Sequence, residues 1–102
     1  MKIEWAEPAI LDLDSVRNYI ARDSKHYAER FMEKLIEGVE KLKKFPKIGR
    51  RVQESEEKNI RELLFYNYRI IYRVETGRIL ILTVIHASRD LGQKEFKPWD
   101  II

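Results

Sequence analysis

Arg61, Arg69, Arg73, His86 and Arg89 are the residues of this chain best suited to act on a phosphodiester. Arginine forks bind phosphate oxygens bidentately. A histidine titrates near neutral pH and can give or accept a proton. Together they could cleave RNA without a metal. A base would take the 2′-OH proton, arginines would stabilise the phosphorane, and an acid would protonate the leaving 5′-oxygen. Glu54 is a further candidate base, one carboxylate in an acidic run. The same residues also have a plainer reading. Arg69 and Arg73 would pair with Glu62, Glu75 or the acidic block, leaving His86 as a strand-end histidine with a structural hydrogen bond. No cofactor is expected. The two histidines, His26 and His86, stand far apart, there is no cysteine, and no paired acidic motif completes a metal-ligand set.

A β-hairpin must position these groups. Tyr68 to Val74 and Arg78 to His86 read as two strands, with Thr76-Gly77 as a two-residue turn. Counting from that turn pairs Val74 with Ile79, Arg73 with Leu80, Ile71 with Leu82, Arg69 with Val84 and Asn67 with His86. Side chains alternate along a strand. Tyr68, Ile70, Tyr72 and Val74 then share an apolar face with Ile79, Ile81, Thr83 and Ile85. Arg69, Ile71 and Arg73 share the opposite, open face with Leu80, Leu82, Val84 and His86. His86 would lie diagonal to Arg69, at roughly 7–8 Å between backbones. Asn59 to Phe65 reads as a third strand, with a turn at Tyr66-Asn67. A three-residue turn would put Arg61 on the open face between Arg69 and Arg73. A two-residue turn would point it at the helices, where an unpaired charge is costly. The three-residue turn is therefore expected, with Arg89 just beyond the site.

The first half supplies the backing. Lys2 to Trp5 alternates like a short strand. Pro8 suits the first turn of a helix in which Ile10, Leu13, Val16 and Ile20 recur at helical spacing. Ser24 is the expected N-cap of a longer helix carrying Tyr27, Phe31, Leu35, Val39 and Leu42, which Pro46 ends. Residues 48–51 read as a loop, and 52–58 as strand or loop. The apolar tail, with Phe96, Trp99, Ile101 and Ile102, must dock or bind a partner. The order predicts one α+β domain over residues 1–102. A helical hairpin packs on one face of a mostly antiparallel sheet, and the other face is at least partly open.

Composition bounds the partners. The chain has 102 residues and a net charge of +3, with 44% hydrophobic and 36% charged residues. These values fit a single well-solvated domain rather than a disordered chain. No apolar run approaches the roughly 18 residues that span a bilayer. A soluble, cytoplasmic protein without a membrane partner is expected. Lys41, Lys43, Lys44, Lys47, Arg50 and Arg51 form a basic block, followed by acidic Glu54, Glu56 and Glu57. A basic surface supplies the sequence-independent part of nucleic-acid binding. Lys43, Lys44, Lys47, Arg50, Arg51 and Arg73 are therefore candidate RNA contacts; the alternative is an ordinary solvated face.

The element order and three local patterns resemble the RelE/ParE superfamily of toxins from type II toxin–antitoxin modules. The patterns are Pro46-Lys47-Ile48-Gly49-Arg50, then Ile60-Arg61-Glu62-Leu63 followed by Tyr68-Arg69-Ile70-Ile71-Tyr72-Arg73-Val74, and finally Val84-Ile85-His86-Ala87-Ser88-Arg89-Asp90. The resemblance implies two mechanisms on one fold: RelE-like cleavage of mRNA in the ribosomal A site, or ParE-like poisoning of DNA gyrase with no nuclease site. It implies a cognate antitoxin whose C-terminal segment wraps the toxin. It places Arg69 and Arg89 at RelE-like catalytic arginines, Arg61 near active-site lysines, and His86 at the histidine some relatives use. No tyrosine follows Tyr72, so the C-terminal tyrosine of RelE-like sites has no counterpart. On these grounds a ribosome-dependent endoribonuclease using Arg61, Arg69, His86 and Arg89, with ribosome and mRNA as partners, is expected. The gyrase poison is the alternative, and a degenerate member that only binds antitoxin or nucleic acid is the third reading.

Overall fold

The computed structural model describes residues 1–89, 91 and 97–101, with Ile101 described by its backbone alone. The expectations for Asp90, Phe96, Ile102 and the Ile101 side chain lie outside the described residues. In chain order the elements are β1 (Lys2–Trp5), α1 (Glu7–Ala21), α2 (Lys25–Glu40), β2 (Arg50–Arg51), β3 (Ile60–Phe65), β4 (Tyr68–Glu75), β5 (Arg78–His86) and a one-turn α3 (Pro98–Ile101). The strands form one sheet in the order β1-β5-β4-β3-β2. Only β1 runs parallel to its neighbour, β5. The sequence anticipated this α+β architecture, apart from the two-residue strand β2 and the one-turn helix α3.

Local chemistry explains most of the elements. The Ser24 hydroxyl accepts the Tyr27 N–H at 3.1 Å and starts α2 as expected. Val16 of α1 and Phe31, Leu35 and Val39 of α2 pack on Ile70, Tyr72, Ile79 and Ile81 of the sheet. Gly77 takes φ 80° in the β4–β5 turn, a conformation that costs glycine nothing. Among the described residues no helix is long and apolar enough to cross a membrane.

The expected hairpin register holds from Glu75↔Arg78 through Tyr72↔Ile81 and then breaks. Tyr72 pairs with Ile81, but Ile71 pairs with Thr83, so Leu82 is an extra residue in β5. A bulge of this kind shifts every later pair by one residue and moves side chains to the other face. Arg69 accordingly meets Ile85, and Tyr68 meets His86. Val84 joins the helix-side core and Ile85 the opposite one. Asp12 on α1 explains why the bulge is tolerated. Its Oδ2 accepts the Val84 N–H at 3.0 Å and also the Thr83 hydroxyl.

The face expected to be open is covered. Ile60, Ile71, Leu80, Leu82 and Ile85 form a second core beneath Val52, Leu91 and Trp99. The apolar tail thus docks through Trp99 on the sheet's own back face.

Candidate functional site

Arg69 sits in this covered face, only 6% exposed, beside Glu62 at 2%. β3 and β4 bring the two onto one side of the sheet as diagonal neighbours, because Glu62 pairs with Ile71 and Leu64 with Arg69. Arg69 Nε donates to Glu62 at 2.8 Å, and Nη2 reaches the same carboxylate at 2.6 Å. Nη1 and Nη2 grip both oxygens of Glu54 at 2.9 and 2.8 Å. Nη1 also donates to the Arg89 carbonyl at 3.0 Å. Every nitrogen of the guanidinium fork thus faces an acceptor. Arg50 Nε closes the network on Glu62 at 2.6 Å, and the Leu91 N–H donates to Glu54 at 3.3 Å. A cleft of about 350 Å³ opens above it, lined in part by Arg50, Gln53, Glu54, Ser88 and Arg89. The plainer reading of Arg69 therefore describes the observed contacts.

Of the other expected site residues, Arg89 adjoins Arg69, whereas Arg61, Arg73 and His86 do not converge on it. Tyr66 and Asn67 make a two-residue turn, so Arg61 pairs with Tyr72 and lies on the helix side. It is not an unpaired charge there, because Nη1 donates to the carbonyls of Gly49 at 2.8 Å and Lys47 at 3.4 Å. His86 lies across the sheet from Arg69, its ring edge-on to Tyr68 at 5.8 Å. The Ser88 N–H donates to His86 Nδ1 at 3.2 Å, and the Ser88 hydroxyl lies 2.7 Å from it. Arg73 Nε donates to Glu75 at 2.6 Å, and Nη1 reaches the Trp99 carbonyl at 3.4 Å. Arg89 reaches the cleft with an exposed side chain. The shared face of Arg61, Arg69, Arg73 and His86 is thus corrected on two counts: the bulge removes His86 and the short turn removes Arg61.

The basic block also divides. Lys43 pairs with Glu40 at 2.7 Å, Arg50 is committed to Glu62, and Arg51 donates to the Glu56 carbonyl at 3.4 Å. Lys44 and Lys47 are exposed, and among the described residues no carboxylate pairs with either.

Residues 3–91 match the family described as the ParE toxin of the type II toxin–antitoxin system parDE. The chain belongs to this ParE toxin family. It is 30% identical over 89 residues to Toxin RelE2 of Caulobacter vibrioides, an alignment covering 86% of this chain and 97% of that one. A solved structure titled "Chromosomal ParDE TA system from P. aeruginosa" shares the fold. Its TM-score is 0.72 at 23% identity, covering 86% of this chain and 97% of that one. This ParE-family chain is accordingly a toxin of a type II toxin–antitoxin system, and a cognate antitoxin is implied.

In this toxin the Arg69 network is a titratable clamp. The Arg69 fork holds the Glu54 carboxyl down at about 2, against an ordinary 4.5. A pKa depressed in the folded state contributes stability that is complete above the unfolded value. That contribution is lost as pH falls from 4.5 towards 2. Urea midpoints measured across that window should fall with acidification, and Glu54→Gln should flatten the slope. Equal slopes in the two proteins would remove the clamp from the account.

Two polar groups with no expected partner, the Asp12 carboxylate and the Tyr72 hydroxyl, hold the framework. Asp12 completes the bulge, and the buried Tyr72 hydroxyl bonds Gly49 N–H and the Pro46 carbonyl at 3.0 and 2.9 Å. The glycine of Pro46-Lys47-Ile48-Gly49-Arg50 was a visible signal for the second contact. Nothing local marks Asp12.

Proposed function

We propose that this toxin acts as a gyrase poison by binding alone, without nuclease chemistry. The observation that carries the proposal is the state of Arg69. Its guanidinium is saturated by Glu54, Glu62 and a backbone carbonyl, while His86 and Arg61 lie across the sheet. A transition-state stabiliser must offer donors to developing charge. Arg69 offers none while Glu54 holds it. Membership of the ParE family supports gyrase as the target. Neutralisation fits the groove between α2 and β3, where Leu63, Leu64, Phe65 and Tyr66 meet Gly38 and Ile48 beside two cations, Lys34 and Lys41, and one carboxylate, Glu37. An acidic, apolar antitoxin segment would suit that groove.

Purified toxin incubated with gyrase and supercoiled plasmid should accumulate protein-linked double-strand breaks. Ribosome-bound mRNA in a parallel reaction should stay intact. His86→Ala should poison as well as the wild type. Cleavage of A-site mRNA by the wild type, abolished in His86→Ala, would overturn the proposal.

A further inference from the structure

The segment between α2 and β2 is pinned from beneath yet apolar on top. The Phe45 N–H bonds the Lys41 carbonyl at 3.0 Å, and the Ile48 N–H bonds the Phe45 carbonyl at 3.1 Å. Tyr72, wholly buried, donates its hydroxyl proton to the Pro46 carbonyl and accepts the Gly49 N–H. Arg61 holds the Lys47 and Gly49 carbonyls. On this fixed backbone Phe45 and Ile48 are 59% and 56% exposed. With Pro46 and Lys47 they line an apolar cleft of about 430 Å³. Lys44 and Lys47 stand beside it as exposed cations.

A rigid aromatic anchor loses little entropy on binding, and such anchors dominate interface energies. Solvating Phe45 and Ile48 on a pinned loop gives the toxin's own fold nothing. We infer that the Phe45–Ile48 loop is the contact by which the toxin engages its target. The occupant would be a folded protein surface presenting an apolar side chain ringed by carboxylates. The inference rests on the gyrase reading and commits to gyrase as that surface. Nucleic acid would meet the lysines but leave the apolar cleft wet. An antitoxin segment lying in the α2–β3 groove would reach Ile48 at its edge but would not need Phe45, which is outside that groove's lining.

The test uses the full-length toxin, gyrase and supercoiled plasmid. Phe45→Ala and the Lys44→Glu/Lys47→Glu pair should each raise the toxin concentration for half-maximal break accumulation by at least about tenfold. Antitoxin affinity should stay within about threefold, and the thermal midpoint should be unchanged because these side chains are exposed. If the wild type traps breaks and Phe45→Ala traps them equally, the loop inference falls while the gyrase reading stands. A wild type that leaves gyrase untouched overturns the reading and its occupant together. Loss of antitoxin affinity in Phe45→Ala would assign the loop to the antitoxin and overturn the inference. Loss of trapping only in the lysine variant, with matching loss of binding to naked plasmid, would make it a DNA contact and overturn it as well.

Discussion

Arg69→Ala is expected to destabilise the toxin by about 3–5 kcal/mol, the range for removing one partner of a buried ion pair. The substitution leaves Glu54 and Glu62 facing each other near the floor of the cleft. Among the described residues Glu62, 2% exposed, would keep Arg50, and Glu54 would keep backbone N–H groups such as that of Leu91. Two carboxylates without their shared cation repel, and one must take up a proton or turn to water. Adding Glu62→Gln to Arg69→Ala should therefore recover part of the lost stability. Denaturant melts of the wild type, both single variants and the double variant give the coupling directly. Additive losses would mean that the charges do not interact as described. The result also bears on activity. Loss of function in Arg69→Ala would follow from lost stability as readily as from lost catalysis, so that variant cannot identify a catalytic arginine. The exposed residues His86 and Arg89 are the informative positions.

The same network shows where sequence reading reaches its limit. The strand and helix order, the Ser24 cap and the Thr76-Gly77 turn were legible because each depends on residues close in the chain. The first pairs of the hairpin were legible for the same reason. The face assignment beyond Ile71 was not, because it turns on one extra residue, Leu82. Asp12 of α1 makes that bulge affordable by taking the freed Val84 N–H. No periodicity within β5 reports a carboxylate on another element. Arg61 was misplaced for a second reason. The two-residue β3–β4 turn puts Tyr66 at φ 51°, a left-handed conformation that favours Asn or Gly over Tyr. Charge cost argued against burying Arg61, yet the carbonyls of Lys47 and Gly49 were waiting at that edge. The covering of the back face was invisible because it is made by a loop and a tail, Val52 and Trp99, with no regular pattern. Pairing of Arg69 with Glu62 and the acidic block was foreseeable, since a buried arginine in a sheet needs carboxylates nearby.

Among the described glycines, Gly49→Ala is expected to be the most damaging substitution. A Cβ at this position would lie 2.5 Å from the Glu62 carbonyl oxygen and 2.6 Å from the Tyr72 hydroxyl. The first neighbour is strand backbone and the second is a ring fixed in the core, so neither can swing aside. Overpacking of this kind costs about 1–3 kcal/mol. Displacing the loop also breaks the bonds Tyr72 makes to Gly49 N–H and the Pro46 carbonyl, and an unpaired buried group adds about 1–3 kcal/mol. Tyr72→Phe removes those bonds without the clash, and should cost only the second amount. In a Tyr72→Phe background Gly49→Ala should then cost less than in the wild type, because one of its three collisions is with the missing hydroxyl, while those with the Glu62 carbonyl and with ring Cε1 at 2.9 Å remain. Thermal or urea melts of the four proteins measure this. An undiminished cost would place the strain against the β3 backbone and the ring itself rather than the hydroxyl. The cycle carries a functional readout too. Tyr72→Phe leaves Phe45, Lys44 and Lys47 untouched, but it frees the loop that presents them. If a pinned loop is what the target grips, Tyr72→Phe should weaken gyrase trapping at temperatures where the protein remains fully folded. A folded, loosened toxin that traps breaks as well as the wild type would show that presentation by this loop is not what the target reads.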